Sequence, residues 1–173
     1  MGKNAYSTWE RGAIGERLVA AELDKLVRLD PRWGYLNSIP VSAEVDIDLF
    51  VVGPGGVFSL NAKYQRGASI WVGGDTVMVN GTRQPYVRNS RHEARRASRL
   101  LTRATGCPVR VQGVVVPVAA GAFTVKAQPD DVQVINRARL KAYLGSRPAV
   151  LQSALVERIF NAARLSTTWR PTA

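Results

Sequence analysis

The sequence predicts an α/β fold in which a central mixed sheet is flanked by helices. Three observations indicate this class. Residues 10–29 and 87–105 carry apolar side chains at helical spacing. Residues 45–64 alternate like strands on both sides of a Gly-Pro-Gly-Gly turn. Residues 111–118 form a nearly continuous apolar run, which is typical of a strand buried on both faces. Such elements are expected to pack as layers on one sheet.

The first half of the chain predicts one helix followed by three strands. The helix over 10–29 ends before Pro31, and a short strand is expected over 33–39. The next two strands flank the turn at 53–56 and form a hairpin that ends near Tyr64.

The second half predicts further strands and three helices. Two short strands, 69–72 and 76–79, are expected to extend the antiparallel part of the sheet. The helix over 87–105 stops at Gly106, a residue that commonly ends helices. The remaining elements are, in order, a strand over 131–135, a helix over 137–144 capped by Asn136, a helix over 149–163 and a tail over 166–173 that we expect to be mobile.

The length and hydrophobic content suit one domain with its own core. The chain has 173 residues, of which 46% are hydrophobic. We therefore expect a single domain over 1–173, with a core over about 10–145 and a C-terminal helix over about 149–163.

The chain is strongly basic. It has 24 Lys and Arg against 13 Asp and Glu, which gives a formal net charge of +11. A basic folded surface favours polyanions, because each neutralised phosphate releases counterions. Nucleic acid is the partner class that this charge favours most.

Cysteine usage and hydropathy indicate a cytoplasmic protein. Cys107 is the only cysteine, so an internal disulfide and a multi-cysteine zinc site are both excluded. The first residues lack an apolar signal core, and the longest apolar run, over 111–125, is interrupted by glycine and proline. We expect a soluble protein without a membrane span, in a reducing cytoplasm.

Three carboxylates lie on one face of a predicted strand. Glu44, Asp46 and Asp48 are spaced by two residues, so their side chains emerge on the same side. Such like charges are tolerated where the face is solvated, where Arg or Lys neutralises them, or where they hold a divalent cation. The spacing alone leaves a solvated strand edge and a metal site both open.

The following strand adds an amide and a lysine. Asn61 and Lys63 share one face and are expected to lie beside the acidic end of the preceding strand. A carboxylate, a neighbouring oxygen ligand and a lysine suit phosphodiester hydrolysis, in which a metal activates water and the lysine stabilises developing charge. The alternative is a structural salt bridge between Lys63 and Asp46 or Asp48.

Residues 46–63, with the sequence DIDLFVVGPGGVFSLNAK, resemble the core of the nuclease-related domain, or NERD, family. Gly12-Ala-Ile-Gly15-Glu16 in the first helix and Asn89-Ser-Arg-His-Glu93 in the second are similar to the Gly-x-x-Gly-Glu-like and Asn-Pro-x-x-Gln-like elements of that family. The resemblance covers residues 10 to about 120. It implies a restriction-endonuclease-like fold of the PD-(D/E)xK class and hydrolysis of DNA with Mg²⁺ or Mn²⁺.

The resemblance also implies roles for individual residues. Asp48 takes the position of the metal-binding aspartate, Lys63 that of the motif lysine and Glu16 that of the helical glutamate, so these three are the expected catalytic residues. Asn61 occupies the acidic position of the motif. The expected metal ligands are Asp48, Asn61, Glu16 and Asp46.

The chain departs from the family pattern at several positions. Asn61 is neutral, so the site has one negative charge fewer unless Glu16 and Asp46 compensate. Leu49 replaces a histidine that often follows the aspartate, and Ser90 and Glu93 depart from the second-helix element. The alternative for Glu16 is a surface position favoured by the helix dipole.

The second long helix carries a basic stripe. Its members recur at steps of three and four residues: Arg88, His92, Arg95, Arg99 and Arg103, with Arg91 and Arg96 at the flank. At 1.5 Å per residue the stripe runs about 22 Å, which is long enough to follow several backbone phosphates. The alternative is a solvated basic face. We expect Arg88, Arg91, His92, Arg95, Arg99 and Arg103 to bind nucleic acid.

Three functions are compatible with these features. The first is metal-dependent hydrolysis of DNA, and the second is a catalytically weakened domain that binds nucleic acid without cutting it. The third is an interaction module of a DNA-processing or defence assembly, in which the charge docks an acidic protein. DNA is favoured over RNA as the partner, no membrane partner is expected, and a homo-oligomer is left open.

Overall fold

The computed structural model describes residues 6–172. The five helices are α1 (Thr8–Leu29), α2 (Tyr86–Thr105), α3 (Arg137–Gly145), α4 (Ser153–Ala163) and α5 (Ser166–Trp169). The strands are β1 (Gly34–Pro40), β2 (Asp46–Gly53), β3 (Gly56–Tyr64), β4 (Ser69–Gly73), β5 (Thr76–Val79), β6 (Thr82–Gln84), β7 (Val111–Val118), β8 (Ala122–Ala127) and β9 (Val132–Val134). Residues 1–5, which include most of the segment expected to lack a signal core, lie outside the described residues.

A five-stranded sheet in the order β1-β2-β3-β7-β9 forms the centre of the fold. The pairs β1/β2 and β2/β3 are antiparallel, whereas β3/β7 and β7/β9 are parallel. The parallel pairing is possible because α2 lies in the connection between β3 and β7 and crosses one face of the sheet. The predicted class, a central mixed sheet flanked by helices, is confirmed.

Helices cover both faces of this sheet. On one face α1 and α3 bury an apolar cluster that includes Leu23 and Leu140 against Leu60 of β3. On the other face α2 and α4 bury a second cluster that includes Leu101 and Ile159. Strands β2, β3 and β7 are therefore apolar on both sides, except where β2 begins and β3 ends.

Strands β4 and β5 do not extend the central sheet, so that prediction is wrong. They belong to a separate four-stranded sheet in the order β6-β5-β4-β8. Strand β8 was not predicted and pairs parallel to β4. The chain leaves the central sheet after Tyr64 through a turn in which Gly67 adopts a φ of 68°.

The structure also differs from the predicted boundaries of three segments. Glu44 lies in the bend before β2 and not in the strand. Of the three carboxylates, only Asp46 and Asp48 therefore share a face of β2. Helix α4 begins at Ser153, four residues later than expected. The expected mobile tail instead contains α5, because Trp169 is 2% exposed and packs edge-on against Phe50 with ring centroids 5.8 Å apart.

No helix among residues 6–172 is both long and apolar enough to cross a membrane.

Helix α2 approaches the sheet unusually closely at one point. A Cβ added to Gly113 of β7 would lie 2.5 Å from the Ser90 hydroxyl and 3.1 Å from the Ser90 carbonyl oxygen. Only glycine leaves room for the helix backbone here. The height of α2 above the sheet is therefore set at Ser90, three residues before Glu93.

We predict that Gly113→Ala lowers the free energy of unfolding by about 1 to 3 kcal/mol, because the added methyl group overpacks the contact with Ser90. The measurement is urea denaturation of the purified protein. Gly12→Ala is the control, since its Cβ would meet no atom within 4 Å and alanine stabilises a helix interior by about 0.5 to 1 kcal/mol. Unchanged stability in Gly113→Ala would contradict the close approach.

Candidate active site

The central sheet divides where β2 begins and β3 ends. The last paired residues of these strands are Leu49 and Leu60, beyond which β2 continues to pair with β1 and β3 with β7. The next residues of the two strands, Asp48 and Asn61, therefore face an opening. We call this opening the fork.

A cleft of about 560 Å³ occupies the fork beneath α2. Its floor carries Asp46 and Asp48 from β2 and Asn61 and Lys63 from β3. Helix α2 contributes the polar side chains of the opposite wall, which are Arg88, Asn89, His92, Glu93 and Arg96. Glu44, from the bend before β2, lines the cleft as well.

Asp48 is held at the fork by the unpaired backbone of β3. Its Oδ2 accepts a hydrogen bond of 3.2 Å from the Ala62 N–H, which has no partner on β2. Burial raises the pKa of Asp48, and the charge of Lys63 and the Ala62 N–H oppose this shift, while Asp46 adds to it. Asp48 is thus a half-buried carboxylate whose charge depends on nearby cations.

Lys63 is positioned by an aromatic ring. Its Nζ lies 5.0 Å from the centroid of the Tyr86 ring, in cation–π geometry. The Tyr86 hydroxyl accepts a hydrogen bond of 2.7 Å from the Gln65 side chain, which fixes the ring. No ion pair within 4.0 Å joins Lys63 to Asp46 or Asp48. The ammonium group therefore faces the cleft and is not held in a structural salt bridge.

Asn61 and Glu93 meet across the fork. The Asn61 side-chain nitrogen donates a hydrogen bond of 3.4 Å to Glu93 Oε1. Asn61 Oδ1 and Glu93 Oε2 are buried and lack a hydrogen-bond partner. Burial, with a further contribution from Asp48, raises the pKa of Glu93 to about 7, against the opposing effects of Asn61, Ser59 and Lys63. Ser59 lies near enough to lower this pKa, although its hydroxyl does not reach hydrogen-bond geometry.

Glu16 approaches the acidic residues from the other helix layer. Its pKa is raised by burial and by the charges of Asp48 and Asp46, and the nearby Ser38 side chain opposes this shift. Ser38 has a φ of 52°, an uncommon conformation for this residue. Glu16 does not line the cleft. It adds negative charge beside Asp46 and Asp48 without facing the opening.

The carboxylates and the Asn61 amide of the cleft offer oxygen donors, which a hard divalent cation prefers. Among residues 6–172 no three acidic, histidine or cysteine side chains form a metal cluster. The arrangement that fits a cation is instead mixed, with carboxylates and the amide oxygen of Asn61, whose Oδ1 is buried and unpartnered. Asp48 and Asn61 face the same opening, so the chemistry of the donors suits Mg²⁺ or Mn²⁺.

The basic stripe of α2 divides into two groups. Arg88 and His92, with Arg96 from the flank, line the cleft, whereas Arg99 and Arg103 lie exposed farther along the helix. Arg91 is engaged by acids: its Nε lies 2.6 Å from Asp131, and its Nη2 lies 2.9 Å from Asp75. Arg95 lies 3.8 Å from Asp131. Arg91 thus fastens α2 to its neighbours, and the other basic residues face solvent or the cleft.

Reasoning from the sequence missed two residues of this site. Glu93 was named only as part of the second-helix element and as a departure from its pattern, and Tyr86 was given no role at the site. A signal for Glu93 existed, since it is the only acid in a helix with six arginines. The sequence does not show which side of the helix faces the fork, and that orientation makes Glu93 part of the site.

The raised pKa of Glu93 predicts a pH dependence of stability without metal. The pKa of Glu93 is about 7 in the folded protein and 4.5 in the unfolded chain. Because folding disfavours the charged form of Glu93, its contribution to the free energy of unfolding is fully present below about pH 4.5 and is lost as pH rises towards 7. Glu93→Gln should abolish this loss, which is about 2 to 3 kcal/mol. The measurement is urea denaturation in EDTA at pH 5 and pH 8. Glu157→Gln, at an exposed site on α4, is the control, and a parallel decline in wild type and Glu93→Gln would contradict the prediction.

Comparison with known proteins agrees with these observations. No curated protein and no solved structure matches the chain. The family model described as nuclease-related domain, NERD, matches residues 11–118, which is more than half of the chain. That range extends from α1 through β7 and so contains the whole fork, and the mixed fold is consistent with the PD-(D/E)xK class. The chain therefore belongs to the nuclease-related domain family.

Proposed function

We propose that the protein is a divalent-metal-dependent nuclease that hydrolyses phosphodiester bonds of DNA. The observation that carries this proposal is the convergence of Asp48, Asn61 and Lys63 in one cleft whose rim is basic. Family membership supports a nuclease-related role. The proposal goes further by naming the reaction, the metal and the substrate.

The residues divide the chemistry between them. Asp48 and the Asn61 amide oxygen would hold the cation, and Asp46 and Glu16 add negative charge nearby. A bound Mg²⁺ or Mn²⁺ supplies Lewis-acid polarisation of the phosphate and activation of the attacking water. In the net reaction a water oxygen forms a new bond to phosphorus, the bond to one sugar oxygen breaks, and that oxygen leaves with a proton.

Lys63 is placed to stabilise the charge that develops on the phosphate. Its ammonium group is free of ion pairs with the floor carboxylates and is steadied by Tyr86, so it presents a fixed positive charge to the cleft. A charge positioned in advance stabilises the transition state without reorganisation. Lys63 therefore acts as a catalytic residue in this proposal.

The basic rim orients the DNA. Arg88, His92 and Arg96 bring positive charge to the edge of a cleft whose floor is acidic, and exposed Arg99 and Arg103 continue it along α2. Such contacts with phosphates position the duplex without reading its sequence. We expect binding that is dominated by the backbone and strongly dependent on salt.

A weakened binding domain is the second candidate, and one observation favours it. Asn61 is neutral, and no cluster of three acidic, histidine or cysteine side chains forms within residues 6–172. Fewer negative charges reduce affinity for a hard cation. DNA binding without cleavage under any divalent metal would favour this candidate over the nuclease.

We predict that Asp48→Asn abolishes Mg²⁺- or Mn²⁺-dependent cleavage, with a loss of at least about a hundredfold, because the site loses its central carboxylate. DNA binding in EDTA should stay within about twofold, since the rim is unchanged. The measurement is cleavage of supercoiled and linear DNA with each metal and with EDTA.

Asp130→Asn is the matched control for this experiment, because Asp130 is exposed and does not line the cleft. It should cut DNA like the wild type. Equal activity in Asp48→Asn would reject the proposed site, or would reveal a contaminating nuclease.

The basic rim predicts the salt dependence of binding. Arg88→Ala and Arg99→Ala should each weaken DNA binding on all sequences alike and reduce the slope of log K against log[salt] by about 1. Fluorescence anisotropy over a range of salt concentrations measures both effects. Arg28→Ala, at an exposed position on α1, is the control. An unchanged slope in both rim variants would place the DNA on another surface, and a shallow slope in the wild type would favour an acidic protein as the partner.

A further inference from the structure

The acidic charge that the fork needs is found on the helix that crosses it. A hard cation binds best where carboxylate oxygens surround it. Strand β2 supplies Asp48, but the facing position of β3 carries the neutral amide of Asn61. At these two facing positions the strands therefore provide one carboxylate, and a second one there would come from another element.

Glu93 of α2 lies where it could supply this second carboxylate. It projects from α2 into the cleft, where its Oε1 accepts the hydrogen bond from the Asn61 side-chain nitrogen at 3.4 Å. The amide of Asn61 thereby turns its nitrogen towards α2 and leaves its oxygen without a partner. The pair joins the strand and the helix across the fork.

Glu93 also lacks the partners that its own helix could provide. Helix α2 contains six arginines, yet no ion pair within 4.0 Å involves Glu93 in the described part of the chain. Arg91, two residues away, is bound to Asp75 and Asp131 instead. A buried carboxylate without a counter-charge is destabilising unless a cation meets it.

Two oxygen atoms point to where that cation would bind. Glu93 Oε2 and Asn61 Oδ1 are both inaccessible to solvent and make no hydrogen bond. Native proteins rarely leave such atoms unsatisfied, and both are ligand atoms for Mg²⁺ or Mn²⁺. Asp48 lines the same cleft, so β2, β3 and α2 each offer an oxygen donor there.

We infer that Glu93 supplies the second metal-binding carboxylate of the active site, so that the helix carries the acid and the strand carries the amide. This inference rests on the proposed function and deepens it. The acid and the amide occupy facing positions, and their exchange should therefore preserve the charge of the site. Asn61→Glu combined with Glu93→Gln tests this directly.

The experiment measures Mn²⁺ binding by isothermal titration calorimetry on the full chain without DNA, beside cleavage of DNA. Glu93→Gln should weaken Mn²⁺ affinity by at least about tenfold, as expected for the loss of a charged ligand. The exchanged double variant should recover most of that loss. Glu157→Gln, which replaces an exposed carboxylate by an amide, should bind Mn²⁺ like the wild type.

Several outcomes would overturn the inference. It fails if Glu93→Gln binds Mn²⁺ as tightly as the wild type, if the wild type binds no Mn²⁺ at millimolar concentration, or if the folded double variant recovers nothing. Denaturation curves confirm that each variant folds.

The failure of the inference and that of the proposed function are distinguishable. If Asp48→Asn loses cleavage while Glu93→Gln keeps both cleavage and Mn²⁺ affinity, the nuclease remains and Glu93 is not a ligand. If Glu93→Gln loses Mn²⁺ affinity but the wild type never cuts DNA, Glu93 is a ligand in a protein that is not a nuclease.

Discussion

The separation of β2 from β3 beyond Leu49 and Leu60 is the constraint on which the site depends. A continuous sheet would satisfy the Ala62 N–H with a strand carbonyl and would bury Asp48 and Asn61 in the ladder. Because β2 follows β1 and β3 follows β7, the Asp48 carboxylate takes the place of the missing backbone acceptor. One hydrogen bond thus satisfies the backbone and fixes the orientation of the carboxylate.

Charge is arranged in layers around this separation. Asp46 and Asp48 lie on the floor with Lys63, which is held beside Tyr86, and arginines of α2 lie at the rim. A net charge of +11 therefore coexists with a local acidic centre. Arg91 takes no part in this arrangement, because its ion pairs with Asp75 and Asp131 connect α2 to the turn between β4 and β5 and to the segment before β9.

The parts of the fold that depend on local periodicity were predictable, and the parts that depend on contacts between distant segments were not. The alternation around the Gly-Pro-Gly-Gly turn predicted the hairpin, and it placed Asp48 and Lys63 on facing strands. The second sheet was missed because β8 pairs with β4, about fifty residues earlier in the chain, and five of the six residues of β8 are exposed, so the strand adds little to the core. Glu93 was missed because the side of α2 that faces the fork depends on how the helix packs on the sheet, and contacts such as the close approach of Ser90 to Gly113 are not visible in the sequence.

The burial of Trp169 bears on where a recombinant version of this protein can end. Its ring covers Phe50, two positions after Asp48 on β2, and its indole nitrogen donates to the Ala163 carbonyl oxygen at 2.8 Å. Trp169 also lines the cleft. A recombinant version trimmed to the family-matched region, or one that ends after α4, would uncover an aromatic face beside the cleft. The short helix α5 should therefore be retained as one wall of the cleft.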